Sequence, residues 1–323
     1  MTRVAAVDCG TNSLRLLIAD VDPDGATLTD VDRRTEIVRL GQGVDATRRL
    51  AAEALDRALA VARFYATLVE EAKAERLRVV ATSALRDAAD HDAFRAGIDA
   101  VFGVEPQIVS GDVEAALSFA GAARAVAPSG HDGPLVVVDI GGGSTEIVLG
   151  EAPDAGGEQV GDLATGSVDI GSVRLTERHL HSDPPSPAEL ELARTEVTTA
   201  LDRVAAVVPL ARARTVVGVA GTVMTITAHA LELPDYDSAV IDGAVLPIAT
   251  VQAACADLIG RTRAQRAELP YLETGRVDVI GAGALIWSEV LDRAHREAGV
   301  TQMVTSEHDI LDELAWSLVL PSR

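Results

Sequence analysis

Aromatic side chains are nearly absent from this sequence: two Trp, three Tyr and four Phe make up 3% of its 323 residues. A core so poor in rings must be assembled from Ala, Val, Leu and Ile, which the 48% hydrophobic content supplies. The same scarcity removes the stacking platforms on which single-stranded nucleic-acid binders hold their bases. Cysteine is as sparse. Cys9 and Cys255 stand far apart and fit no metal-ligand spacing, so neither a disulfide framework nor a thiolate metal site is expected, and both suit a reducing compartment. No apolar run is long enough to cross a bilayer, and the chain enters a strand pattern at 4–7 with no cationic leader or apolar h-region before it. A cytoplasmic protein with no membrane association is expected. Positive charge is also in deficit: 28 Lys and Arg against 49 Asp and Glu give a formal net charge of −21. Such a chain repels polyanions at long range, which argues against nucleic acid or an anionic membrane as partner. It does not exclude a polyanionic substrate, because backbone amides, a few arginines and a divalent cation act at short range, where salt screens the distant charges.

What is present reads as an α/β protein, and its length suggests two domains. Strand patterns occupy 4–7, 14–21, 28–40, 77–82, 107–109, 135–138, 145–149, 159–164, 215–219 and 301–304. Helical periodicity predicts helices over 46–75, 89–101, 112–126, 170–180, 188–208, from 222, and over 249–261, 277–298 and 308–320. The segment 127–134, rich in Pro and Gly, is the expected domain boundary.

A repeat organises these elements. Asp8-x-Gly-x-x-Ser13 and Asp139-x-Gly-x-x-Ser144 share a spacing, and each lies in a tight turn between two apolar strands. Their offset, 139 − 8 = 131 residues, is one domain, so two similar domains facing each other across a cleft are expected. In Asp139-Ile-Gly-Gly-Gly-Ser-Thr-Glu146 the glycines 141, 142 and 143 let a ligand reach the backbone and permit positive φ. Their amides can cradle phosphate oxygens, with the Ser144 and Thr145 hydroxyls as further donors. Asp139, at the strand end, can hold a divalent cation directly or through water. The first turn offers Gly10, Thr11, Asn12 and Ser13 to a phosphate. Arg15 alternates with them and either reaches the same phosphate or faces solvent. Cys9 reads as a small apolar residue pointing into the sheet.

Three more segments follow strands. Ser110-Gly-Asp-Val-Glu114 places Glu114 in the first turn of a helix, where it either complements the helix dipole or acts as general base on water. Arg86, after the strand at 77–82, can clamp a phosphate or pair with Asp87, Asp90 or Asp92. Gly221-Thr222 opens a helix and offers an anion-friendly N-terminus, or close helix–strand packing. The His-Asp pairs at 91–92, 131–132 and 308–309 have no histidine partners at matching spacing and read as solvated residues.

Taken together, Asp-x-Gly-x-Asn-Ser (8–13), Ala-Thr-x-x-x-Arg (81–86), Ser-Gly-x-x-Glu-Ala (110–115), Asp-Ile-Gly-Gly-Gly-Ser-Thr-Glu (139–146) and Gly-x-Ala-Gly-Thr (218–222) resemble the Ppx/GppA family, in order and spacing over nearly the whole chain. The resemblance implies the actin/Hsp70/sugar-kinase superfamily, with two RNase H-like domains around a central cleft. It implies that 1–126 with a returning 301–323 forms the first domain and 127–300 the second. Glu114 then fills the catalytic glutamate position, Glu146 the second acidic one, and Arg86 that of the phosphate-binding arginine. Asp139 is the magnesium-associated aspartate, and Asp8 and Glu146 complete the implied metal set for Mg²⁺ (or Mn²⁺). The turns 10–13 and 141–145 are the implied phosphate loops. The family's usual Ser-Gly-x-Glu-Glu here reads Ser-Gly-Asp-Val-Glu, so Val113 replaces an acid beside Glu114.

The implied activity is an exopolyphosphatase that releases orthophosphate from the ends of inorganic polyphosphate. Guanosine pentaphosphate hydrolysis and non-catalytic sensing of polyphosphate or guanosine phosphates are the alternatives. Because the sequence ends after the expected helix at 308–320, it resembles the short members, for which a preference for short chains is expected. A homodimer is expected by analogy.

Overall fold

A computed structural model of the chain describes residues 1–22, 27–131, 133–152 and 161–319. In chain order the elements are β1 (Thr2–Cys9), β2 (Ser13–Val21), β3 (Leu28–Ile37), α1 (Val44–Thr47), α2 (Ala52–Glu71), β4 (Arg76–Ala81), α3 (Ser83–Asp87), α4 (Asp92–Phe102), β5 (Gln107–Ile108) and α5 (Gly111–Val126). There follow β6 (Pro134–Ile140), β7 (Thr145–Glu151), β8 (Ala164–Val168), α6 (Ser172–His179), α7 (Pro187–Ala205), β9 (Thr215–Val219) and α8 (Ala220–Ala230). The last are α9 (Ser238–Ile241), β10 (Val245–Pro247), α10 (Ile248–Gly260), α11 (Arg263–Ala267), α12 (Ile280–Ala298), β11 (Gln302–Thr305) and α13 (Ile310–Ser317). Residues 159 and 160 of the expected strand at 159–164, Asp132 of the second His-Asp pair and residue 320 of the last expected helix lie outside the described residues.

Chain contacts divide the protein into a unit of Met1–Leu117 joined by the segment from Ile310, and a second unit of Ser118–Asp309. In the first, the sheet order is β3-β2-β1-β4-β5. β1 pairs antiparallel with β2 and parallel with β4. Period-two alternation along β1 sends Ala5, Val7 and Cys9 to one face and Val4 and Ala6 to the other. Ala58, Ala62 and Tyr65 of α2, with Phe94 and Ile98 of α4, cover the first face. Ile310, Leu311, Leu314 and Ala315 of α13 cover the second. Both faces of a largely buried sheet are thereby closed, as its near-continuous apolar strands require.

The second unit repeats the plan. Its sheet runs β8-β7-β6-β9-β11-β10, with β6 antiparallel to β7 and parallel to β9. Both sheets thus have a hairpin of first and second strands, a third strand at one edge, and a crossover to a parallel fourth. That is the RNase H-like order, and two such units in one chain are the pattern of the actin/Hsp70/sugar-kinase superfamily.

Two expectations need correction. The expected boundaries after 126 and after 300 differ from the contact boundaries, which fall at 117/118, inside α5, and at 309/310. The reasons are local. Phe119 packs on Gly150, and the Asp309 carbonyl lies within 2.0 Å of where a Cβ on Gly121 would sit, so the second half of α5 belongs to the second unit. β11 pairs parallel with β9, which keeps 302–305 in the second sheet. The single helix expected over 46–75 is two, because Arg48 is left-handed (φ 56°) and the Leu50 amide is taken by the Asp90 carboxylate at 2.9 Å.

Candidate active site

Each turn of the repeat is closed by the same bond: Gly10 N–H to the Ser13 carbonyl at 2.9 Å, and Gly141 N–H to the Ser144 carbonyl at 3.1 Å. Neither Gly10 nor Gly141 is left-handed, so what the turns exploit is access to the backbone rather than positive φ. Behind the first turn, the Thr11 carbonyl accepts from Gly41 N–H (2.7 Å) and the Asn12 carbonyl from Val38 and Arg39 N–H (2.9 Å each). Behind the second, the Gly141 carbonyl accepts from Ser172 N–H (3.0 Å), and the Gly142 carbonyl from Val173 (2.9 Å) and Arg174 (3.1 Å). In both units the backing segment follows the third strand.

A trans peptide points its C=O and the next residue's N–H in opposite directions. Pinned carbonyls therefore aim the N–H groups of Asn12, Gly142 and Gly143 away from the backing segments. Among the described residues these three amides donate to no protein acceptor. Successive outward amides, as at Gly142 and Gly143, make an anion-binding concavity. In the first turn Thr11 Oγ1 and Asn12 Oδ1 are also buried with no hydrogen-bond partner among the described residues. Orphaned buried polar atoms in a native fold call for an explanation, and a ligand or water is one.

The acidic residues are handled differently in the two units. Asp8 and Arg15 face each other across β1 and β2, and Arg15 donates its Nε (3.0 Å) and Nη2 (2.7 Å) to Asp8 Oδ2. Arg15 therefore does not simply face solvent; it is the partner of a buried carboxylate. At the equivalent positions of the second unit two acids face each other, Asp139 on β6 and Glu146 on β7. Both are buried. Asp139 accepts from Ser118 Oγ at 2.6 Å and Glu146 from Ser167 Oγ at 2.7 Å.

Among the described residues no group of three or more His, Cys, Asp or Glu is arranged to hold a metal ion. Of the implied metal set, Asp139 and Glu146 face each other in the second unit, and Asp8, in the first, is salt-bridged to Arg15. Two carboxylates still fit Mg²⁺, which commonly takes one or two from the protein and the rest of its oxygen shell from phosphate and water.

Arg86 lies on α3, after β4. Its Nη1 donates to the Val109 carbonyl (3.1 Å) and to Glu114 Oε2. The candidate base and the candidate phosphate clamp are thus joined in the first unit, both of them largely buried. Thr145 needs correction as a phosphate donor. It is fully buried and its hydroxyl donates to the Ile170 carbonyl at 2.7 Å, so it fastens the turn from behind. Cys9 is buried in the sheet, and desolvation pushes its thiol well above the ordinary range.

Gly221 and Thr222 open α8 at the end of β9, where Ala220 is held left-handed (φ 67°). Such non-glycine strain costs roughly 1–3 kcal/mol and clusters at functional sites. The structure adds a residue here that sequence reasoning missed. The Arg276 guanidinium lies 2.3 Å from where a Cβ on Gly221 would sit, so glycine is what admits it. Arg276 gives its Nε to Glu273 (2.8 Å), and its two Nη groups make no hydrogen bond among the described residues. It follows Thr274-Gly275 in a loop 55 residues on (276 − 221), and its spacing carried no signal. Ser118 and Ser167 were missed for the same reason: only strand and helix packing brings them to Asp139 and Glu146.

Among the described residues no helix is long and apolar enough to cross a membrane. Comparison with known proteins agrees with the geometry. The chain is 49% identical over 325 residues to Exopolyphosphatase 2 of Mycobacterium tuberculosis, covering 98% of this chain and 99% of the relative. It is 31% identical over 222 residues to a guanosine-5'-triphosphate,3'-diphosphate pyrophosphatase of Pseudoalteromonas translucida, covering 69% of this chain and 42% of that one. The crystal structure of an exopolyphosphatase-like protein superposes with a TM-score of 0.92 at 41% identity, over 98% of this chain and 97% of the other. The sequence profile of the Ppx/GppA phosphatase family matches residues 17–318. With both turns, the Asp8–Arg15 and Asp139–Glu146 pairs and this full-length likeness in place, the chain belongs to the Ppx/GppA phosphatase family.

Proposed function

We propose that the chain is an exopolyphosphatase, a phosphoanhydride hydrolase that releases terminal orthophosphate from inorganic polyphosphate in the cytoplasm. The observation that carries this reading is the pair of turns whose pinned carbonyls turn the Asn12, Gly142 and Gly143 amides outward, in a chain 49% identical to a protein named Exopolyphosphatase 2. Guanosine pentaphosphate presents the same terminal anhydride, but the relative named for that substrate is less similar and matches over less of the chain.

In the proposed mechanism the outward amides bind non-bridging phosphate oxygens, and Arg86 supplies a guanidinium charge for phosphate. Glu114, fixed in direction by its bond to Arg86, orients the attacking water and takes its proton at a carboxylate oxygen. Water attacks the terminal phosphorus, the anhydride P–O bond breaks, and the shortened chain leaves on that oxygen. Asp139 and Glu146 are the residues that would hold Mg²⁺ (or Mn²⁺), which when bound neutralises phosphate oxygens. Positioning and charge stabilisation supply most of the rate in such transfers.

The test is phosphate release from tripolyphosphate, polyphosphates up to hundreds of units, guanosine pentaphosphate and ATP, with Mg²⁺. Wild type and Glu114→Gln are run side by side. Turnover is expected on polyphosphate, highest on short chains, and to fall by roughly 10²–10⁴ in the variant, the usual share of a general base. Wild-type turnover in Glu114→Gln would remove that residue from the mechanism. Binding of polyphosphate with no release would replace the hydrolase by a sensor. Steady gain with length into the hundreds would discard the short-chain preference.

A further inference from the structure

Arg174 sits where two electrostatic rules disfavour an arginine. It is the third residue of α6, at the positive end of that helix's dipole, where a cation is repelled. It is also only 6% exposed, so its guanidinium has lost most of its water. Its Nε donates to the Gly143 carbonyl at 2.7 Å. With Ser172, Val173 and Arg174 N–H on the carbonyls of Gly141 and Gly142, all three carbonyls of the triple glycine are held from one side. Two of these three holds come from backbone amides. The third, on Gly143, comes from the buried side chain.

That third hold matters because glycines make the turn easy to misform. Gly143 has no side chain to restrict its own φ and ψ, so the end of the run is soft unless its carbonyl is held. Rotation about the Gly143 backbone would tilt the Gly142–Gly143 peptide and with it the outward Gly143 amide. In the first turn the Thr11 and Asn12 carbonyls are held by backbone N–H groups of residues 38, 39 and 41.

We infer that Arg174 is a positioning residue for the phosphate turn. It fixes the Gly143 carbonyl at the end of the triple glycine, and it holds a positive charge directly behind the Gly142 and Gly143 amides. The inference rests on the reading of residues 141–144 as a phosphate site.

The test compares Arg174→Lys, Arg174→Gln and Arg174→Met with wild type. It measures kcat and KM per folded molecule, the inhibition constant of orthophosphate, and Tm. Arg174→Met is expected to lose about 10²-fold in kcat/KM, the scale of a misplaced positioning group, with orthophosphate affinity falling in parallel. Arg174→Gln keeps a donor without the charge and should fall between. Arg174→Lys keeps the charge and should recover most of the loss. A lower Tm with wild-type kcat/KM and orthophosphate affinity in Arg174→Met would reduce Arg174 to a structural residue and overturn the inference. If that variant does not fold, wild-type values in Arg174→Gln overturn it equally. Orthophosphate titration of the wild type, followed through the Gly142 and Gly143 amide resonances, separates the two readings. Shifts without hydrolysis would sink the hydrolase reading and leave Arg174 testable by affinity alone. No shift at either amide would show that the turn does not bind phosphate, and the inference would fall with it.

Discussion

Asp8 and Asp139 occupy the same place in two copies of one turn, yet their partners across the hairpin carry opposite charge. In the first unit Arg15 neutralises Asp8 within the protein; in the second, Glu146 adds a second acid beside Asp139. An ion pair needs nothing further, whereas two opposed carboxylates favour a cation, which is why the metal is proposed in the second unit alone. Removing Arg15 takes the guanidinium from a carboxylate that is 7% exposed. Arg15→Met is therefore expected to cost about 3 kcal/mol in urea unfolding, with much of it recovered in the double variant Arg15→Met/Asp8→Asn. A single variant as stable as wild type would show that the pair contributes nothing. The acids and amides of the site were legible because they lie within short motifs. The pairings were not: alternation tells which face Arg15 lies on, but not that Asp8 is the group it meets, and nothing near Arg174 or Arg276 in sequence marks the glycines they serve.

At the level of elements, strands and helices followed from periodicity, and most misreadings occurred where a distant group intervened. The helix expected over 46–75 breaks because Asp90 captures a backbone amide, and the four residues of β11 carry no mark of the sheet they will join. The backing of each turn belongs to this scale. Gly171 passes so close to the second turn that a Cβ there would sit 2.5 Å from the Gly142 carbonyl and 2.6 Å from Gly143 N. Gly41 meets Thr11 in the same way, 2.2 Å from its Cγ2. Gly171→Ala and Gly41→Ala are each expected to cost about 1–3 kcal/mol through overpacking, and to displace the turn they touch. Phosphate release should consequently drop far more than Tm. Alanine variants that keep both activity and Tm would mean that the turns have slack, and that their aim is set elsewhere.

For the whole molecule, the net charge of −21 opposes the approach of a polyanion, while the outward amides act only at contact. Raising ionic strength from about 10 to 150 mM shortens the Debye length from roughly 30 to 8 Å, so kcat/KM for polyphosphate is expected to rise over that range. A fall, as seen for basic polyanion binders, would mean that local cations dominate even at long range. The internal repeat made two units legible, but their borders were not, since a border set by which side chains pack on which sheet leaves no trace in composition. The discontinuity of the first unit has a consequence for synthesis. Residues 118–309 form a contiguous unit, so the ribosome delivers all of it before α13, the helix that closes the second face of the first sheet, is made. The first unit is therefore completed only after the second has been made, and Val4, Ala6 and Leu17 form a surface open to chaperones until α13 is delivered.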